Sequence, residues 1–225
     1  MERRASRYEI RELSAETWPD FERLFSRGNG WDFCWCMGFQ RGERASRQEF
    51  RTRAEVSVVN HERKKRVVDE GRSHGILVYA DGQPVGWCQY GPREELLGRR
   101  GAHAEEPAWR VTCFVVDKRY RRSGVAGRAL RAALESIRSQ GGGLVEAYPV
   151  ASWTHGRGAS TEPVKVQGVG PVAPAWGGFQ NVSTSGVASM FEKEGFTAVG
   201  ICGSTSTRVR SYGAAGDHVV MHKRL

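Results

Sequence analysis

Val111-Thr-Cys-Phe-Val-Val-Asp-Lys-Arg-Tyr-Arg-Arg-Ser-Gly-Val-Ala-Gly-Arg-Ala-Leu-Arg-Ala-Ala-Leu134 decides how this chain is read. It opens as a largely apolar strand, passes through a short basic turn holding Gly124 and Gly127, and continues as an alanine- and leucine-rich helix. A helix that starts on a turn of small residues presents backbone N–H groups with no partner of their own. Its dipole adds positive potential at the same place, so the turn is a ready anion site. Arg121 and Arg122 add formal charge. A pyrophosphate is the ligand that best matches such a nest.

The spacing Arg121-x-x-Gly124-x-Ala126 resembles the (Gln/Arg)-x-x-Gly-x-(Gly/Ala) pyrophosphate arm of the GNAT superfamily, the acyl-CoA-dependent N-acyltransferases. In that family the arm follows the fourth strand and begins the third main helix. A second resemblance follows in the expected order. Gly195-Phe196, after Ser189-Met-Phe-Glu-Lys-Glu, looks like the family's Tyr-x-x-x-Gly-Phe helix end. Phe191 stands in the place of the tyrosine that often gives a proton to the departing CoA thiolate. Phenylalanine cannot do this.

Working outward, Tyr8 to Leu13 alternates like a first strand, and Ser14 is placed to cap a helix with Trp18, Phe21, Leu24 and Phe25 on one face. Residues 45–70 read as helix, in one or two pieces, ending at Gly71. Residues 75–80 and 85–90 read as strands around the hairpin signal Asp81-Gly-Gln-Pro. Residues 92–108 read as a polar loop, 109–116 as strand, 124–140 as helix and 144–150 as a short strand. The Gly-, Pro-, Ser- and Thr-rich stretch 151–182 reads as a long loop insertion. A helix over 183–194 and strands over 196–202 and 218–223 complete the pattern. The fold expected is mixed α/β, GNAT-like, with a central twisted mixed sheet of about six to seven strands flanked by helices. Residues 1–225 are read as one such domain.

The composition narrows the class. Thirty-nine per cent hydrophobic residues and a mean hydropathy of -0.52 fit a soluble globular chain. No stretch approaches the ~18 consecutive apolar residues of a membrane helix. The charged start lacks an apolar leader, and the five cysteines have no disulfide-framework spacing. Both point to a cytoplasmic protein with reduced thiols. The net charge of +9 suits anionic ligands, CoA among them. Its densest cluster, Arg63-Lys-Lys-Arg66, reads as a solvated helix face, and no nucleic-acid-binding motif accompanies it.

The resemblance implies a site. Backbone groups of Phe114, Val115 and Val116 would hold the pantetheine and the thioester carbonyl. Arg121, Arg122, Ser123, Gly124, Val125, Ala126 and Gly127 would hold the pyrophosphate. An amine acceptor is mostly protonated at neutral pH, so a base or a water relay is needed. The family's frequent glutamate position falls close to Arg110, which cannot be a base. Glu146 on the following strand is the first candidate, with Tyr148 as acid or relay. The competing account has Glu146 facing solvent or pairing with an arginine. Glu105, Glu106 and His103 are second choices. Trp31, Phe33, Trp35 and Phe39 could wall a cationic amine, although packing under a loop is favoured.

Other patterns carry less. Cys34-Trp-Cys36 with His218 and His222 matches no zinc module, and no C-x-x-C redox pair is present. No metal is expected. Pro171 and Pro174 break the helix that the dinucleotide-like Gly168-x-Gly170-x-x-Ala173 would need. The reading is an N-acetyltransferase using acetyl-CoA and a primary amine, a small molecule slightly ahead of a protein. Neither membrane nor nucleic acid is an expected partner, and a homodimer is allowed. The rivals are a non-catalytic acyl-CoA-binding module, suggested by Phe191 and Arg110, and a basic nucleic-acid binder.

Overall fold

The computed structural model describes residues 8–28, 32–42, 52–98, 105–150, 164–166, 170–172, 186–202 and 218–225. The chain divides into two compact units, Met1–Leu97 with Cys113–Ser136 and Gly98–Thr112 with Ile137–Leu225. In chain order the strands are β1 (Tyr8–Glu12), β2 (His74–Ala80), β3 (Gln83–Pro92), β4 (Trp109–Val116), β5 (Leu144–Ala147), β6 (Val164–Val166), β7 (Gly170–Val172), β8 (Thr197–Cys202) and β9 (His218–Arg224). The helices are α1 (Trp18–Phe25), α2 (Arg53–Asp69), α3 (Val125–Ser139) and α4 (Ala188–Lys193). Seven strands make one mixed sheet in the order β1-β2-β3-β4-β5-β9-β8. The expected mixed α/β fold is present.

In the first unit the β2–β3 hairpin turns on Asp81 and Gly82, with φ of 50° and 69°. Two left-handed residues make the turn whose twist suits paired strands, and an Asp-Gly pair tolerates it best. α1 buries Trp18, Phe21, Leu24 and Phe25, as their spacing requires. Ser14 does not cap it. The N-cap is Thr17, and the Ser14 amide donates to the Thr17 hydroxyl at 2.9 Å in the preceding turn. α2 opens on a capping box between Thr52 and Glu55; residues 45–51 lie outside the described residues. Phe21, Phe25, Trp35 and Trp87 stack into an aromatic core, with ring centroids 4.3–6.4 Å apart. Gly75 admits the Trp87 ring, since a Cβ there would lie 1.9 Å from it.

The expected solvated helix face at Arg63-Lys-Lys-Arg66 needs one correction: Lys64 is fully buried. It lies one turn from Asn60 and Val68 on the face of α2 that packs inward, so its four-carbon stem is enclosed with its charge.

In the second unit β4 pairs in parallel with β5 through Trp109↔Val145, Arg110↔Glu146 and Val111↔Ala147. β9 pairs antiparallel with β5 and with β8. After α3, Gly141 and Gly142 adopt φ of 99° and 68°. The Gly142 amide donates back to the Ile137 carbonyl at 2.9 Å, a glycine-based helix stop. α4 ends on Gly195 with φ 81°. Phe191 is fully buried and meets Phe196 edge to face at 5.1 Å. The expected loop 151–182 contains a small antiparallel pair, β6 with β7. The rest of that stretch lies outside the described residues.

Candidate functional site

The basic turn is built from its first residue. The Asp117 amide donates to the Val85 carbonyl at 2.9 Å, tying the end of β4 to β3. The Asp117 carboxylate accepts the Arg119 amide at 3.0 Å and the Arg119 guanidinium at 2.8 and 3.1 Å. Those hydrogen bonds, with Arg27 at 3.6 Å, hold the Asp117 carboxyl below the usual carboxylate range. Arg121 Nε donates to the Val116 carbonyl at 3.4 Å, and the Ser123 hydroxyl donates to the Tyr120 carbonyl at 2.5 Å.

Arg122 and Gly124 then take φ of 63° and 83°, which turns the chain into α3. The first helical bond runs from the Arg128 amide to the Gly124 carbonyl at 3.1 Å. The amides of Val125, Ala126 and Gly127 therefore precede the regular ladder. A Cβ on Gly124 would meet nothing within 4 Å, so the space before the helix is open. Val125 is buried and seats the helix on β3, where a Cβ on Gly86 would lie 2.3 Å from Val125 Cγ1. Phe114 and Val115 are buried and Val116 is half-buried.

Asp117→Asn should lower the melting temperature by about 2–4 °C, as expected for ~1 kcal/mol of lost charge-assisted hydrogen bonding. The native carboxyl titrates below its usual value, so its contribution is full above about pH 4 and is lost as pH falls through the lowered value. The gap between parent and variant should therefore close in acid. Thermal melts between pH 3 and pH 7 would show it.

In the second unit the strand register aligns Arg110, Glu146 and His222 in one row across β4, β5 and β9. Tyr148, two residues after Glu146, joins it, because residues two apart share a side of an extended chain. Arg110 Nε donates to Glu146 Oε1 and to the Tyr148 hydroxyl, both at 3.2 Å. His222 Nε2 lies 3.1 Å from Glu146 Oε2, and the Tyr148 hydroxyl donates to Glu146 Oε1. The Glu146 side chain is 0% exposed, against 12% for Arg110 and 11% for His222. Gly98 closes over the group: a Cβ there would lie 2.7 Å from the Tyr148 hydroxyl and 2.9 Å from Arg110 Nη2. Burial, reinforced by the Glu146 charge, pushes the Tyr148 phenol well up, so it stays protonated and donates. This arrangement fixes an imidazole and a phenol on one carboxylate.

A model of the acetyltransferase (GNAT) family matches residues 10–155. The chain belongs to this family. No curated protein matches it. Among solved structures it is similar to a ribosomal-protein-S5-alanine acetyltransferase from Vibrio fischeri, at 13% identity and a TM-score of 0.51, over 100% of this chain and 96% of that one. It is likewise similar to a ribosomal-protein-alanine N-acetyltransferase from Brucella melitensis, at 15% identity and a TM-score of 0.50, over 96% and 99%. These likenesses are of fold. The family membership makes the chain an acetyltransferase.

For this GNAT chain the structure brings Glu146 and Tyr148 together and adds two residues that the sequence reading set aside. In the sequence Arg110 reads only as a residue that cannot be a base, and His222 only as part of a pattern that matches no zinc module. Their common signal was the register: each occupies the position beside Glu146 on a neighbouring strand. Glu146 pairs with an arginine, one of the two non-catalytic readings, and does not face solvent. Glu105 is an exposed partner of Arg224, and Glu106 is exposed. His103 and Trp31 lie outside the described residues. Trp35 is 6% exposed within the aromatic core, and Phe33 is covered by the Arg53 guanidinium at 4.1 Å. Among the described residues no group of three or more His, Cys, Asp or Glu could hold a metal. No described helix is long and apolar enough to cross a membrane.

Proposed function

We propose that residues 1–225 act as one domain that transfers an acetyl group from acetyl-CoA to a primary amine, a small molecule in preference to a protein. The observation that carries the CoA part is the open turn at Gly124, ahead of α3 and beside Arg121 and Arg122. Backbone amides at Ser123 to Gly127 would receive the pyrophosphate. The β4 backbone at Phe114, Val115 and Val116 would receive the pantetheine. Acetyl-CoA supplies the activated acyl group, and its thiol, near pKa ~8.5, leaves as thiolate without an obligatory acid.

For proton handling we assign Glu146 and Tyr148, with Arg110 and His222 as their positioning partners. Glu146 is fully enclosed, so a proton reaches it through His222 or Tyr148, not directly from the amine. The excess of positive charge, +9 overall, works against polycationic acceptors such as lysine-rich tails.

The test is calorimetric titration with acetyl-CoA and with CoA. Micromolar binding, about -8 kcal/mol, is expected for both, followed by thiol release when a panel of small amines is added. Glu146→Gln should keep that binding and lose turnover. No binding at millimolar ligand would overturn the assignment of the turn, and full turnover in Glu146→Gln would overturn that of the proton route.

A further inference from the structure

Cys34-Trp-Cys36 offers no C-x-x-C redox pair along the chain. The partner is on another element. Cys36 Sγ lies 3.0 Å from Cys113 Sγ of β4, about 1 Å more than the ~2.05 Å of a disulfide. All the cysteines are free thiols.

The surroundings select Cys36 as the reactive member. Trp87 Nε1–H donates to its sulfur at 3.1 Å, and with Cys36 ionised the Cys113 S–H donates to it as well. Lys64 is fully buried, donates to Ser73 Oγ at 2.6 Å, and has no carboxylate within ion-pair distance among the described residues. An enclosed ammonium without a carboxylate calls for another anion, and the Cys36 thiolate is the charge that acts on it most strongly. Burial alone would raise the Cys36 thiol, but Cys113, Lys64 and Trp87 together bring it below its ordinary value. The hydrogen bond to Cys36, then burial, drive Cys113 up. Burial likewise pushes Lys64 down, to about 8.

The backbone is committed to this placement. Trp35 and Cys36 hold φ of 47° and 52°, a left-handed conformation that side chains other than glycine adopt at a cost and that clusters at functional sites. Gln89 Nε2 donates to the Cys36 carbonyl at 3.0 Å, Trp35 Nε1 to Ser57 Oγ at 3.0 Å, and Asn60 Nδ2 to the Phe33 carbonyl at 2.9 Å. These bonds pin the segment against β3 and α2.

We infer that Cys36, Cys113 and Lys64 form an oxidation site, in which the Cys36 thiolate reacts with a small hydroperoxide and Cys113 closes the product to a disulfide. Exposures of 2% and 6% restrict the oxidant to one of hydrogen peroxide's size. The thiolate attacks one peroxide oxygen; an S–O bond forms and the O–O bond breaks. The hydroxide released takes a proton from the Lys64 ammonium and leaves as water. Cys113 sulfur then attacks the sulfenic sulfur; the S–S bond forms, the S–O bond breaks, and a second water departs with the Cys113 proton. Two thiols have lost two electrons to one peroxide. The chemistry is independent of the acetyl-transfer reading, and its test reads sulfur alone.

The experiment treats the full chain with hydrogen peroxide, alkylates free thiols, and maps tryptic peptides without reduction. A cross-link between the peptides 28–41 and 111–118 is expected. It should persist in Cys34→Ser, which removes the other thiol of the first peptide, and vanish in Cys36→Ser. Cys113→Ser should instead trap a sulfenic acid at residue 36 that dimedone captures. Lys64→Met should slow cross-linking about tenfold at pH 7, because without the ammonium less of Cys36 is present as thiolate. A stable sulfinate at Cys36 with Cys113 still free would overturn the proposal. So would a cross-link surviving in Cys36→Ser.

Discussion

Gly124→Glu is expected to abolish measurable binding of acetyl-CoA while leaving the fold intact. Gly124 sits at φ 83° with open space where a side chain would project. A glutamate there meets no steric obstacle, but it carries a negative charge into the place assigned to the pyrophosphate. At ~4 Å and an effective dielectric near 20, each such charge pair is worth about 4 kcal/mol, roughly a thousandfold in affinity. The left-handed backbone adds about 1–2 kcal/mol of strain in the turn. That is too little to unfold the chain. Gly124→Ala carries the strain without the charge and should weaken binding about tenfold or less. Calorimetry gives the affinities and circular dichroism the fold. Unchanged affinity in Gly124→Glu would show that the turn does not hold the cofactor.

Elements with a local code were legible in the sequence. The turn at Asp81-Gly82, the apolar stripe of α1, the strand–turn–helix around Gly124 and the glycine stop after α3 each depend on residues within a few positions of one another. What was missed depends on neighbours distant in sequence. Lys64 looks like any member of a basic run, and only the packing of α2 shows that its ammonium is enclosed. Cys36 stands two residues from Cys34, while its sulfur meets Cys113 seventy-seven positions on. Arg110 read as a lost base because its partners on β5 and β9 could not be aligned without the strand register. The strand–turn–helix at Gly124 was therefore readable in outline, and the buried ionic row was not. Only one of these is a contiguous stretch of chain.

Arg110→Met is expected to destabilise the protein by about 3–5 kcal/mol, the cost of removing one partner from a buried ion pair. Glu146 has no exposed side-chain surface, so water cannot replace the guanidinium. The Tyr148 hydroxyl and the His222 imidazole remain, but Tyr148 is neutral and contributes no compensating charge. At about 2–4 °C per kcal/mol for a chain of this size, the melting temperature should fall by roughly 10 °C. The decisive variant is Arg110→Met with Glu146→Gln. A glutamine still accepts the Tyr148 hydrogen bond and carries no charge to strand, so the double variant should recover at least half of the loss. That non-additivity measures the charge pair itself, since the two side chains touch. A loss below about 1 kcal/mol in the single variant, or strict additivity in the double, would mean that Glu146 does not depend on Arg110 to remain charged. The carboxylate would then be held by Tyr148 and His222 alone, and Arg110 would no longer count as a positioning residue.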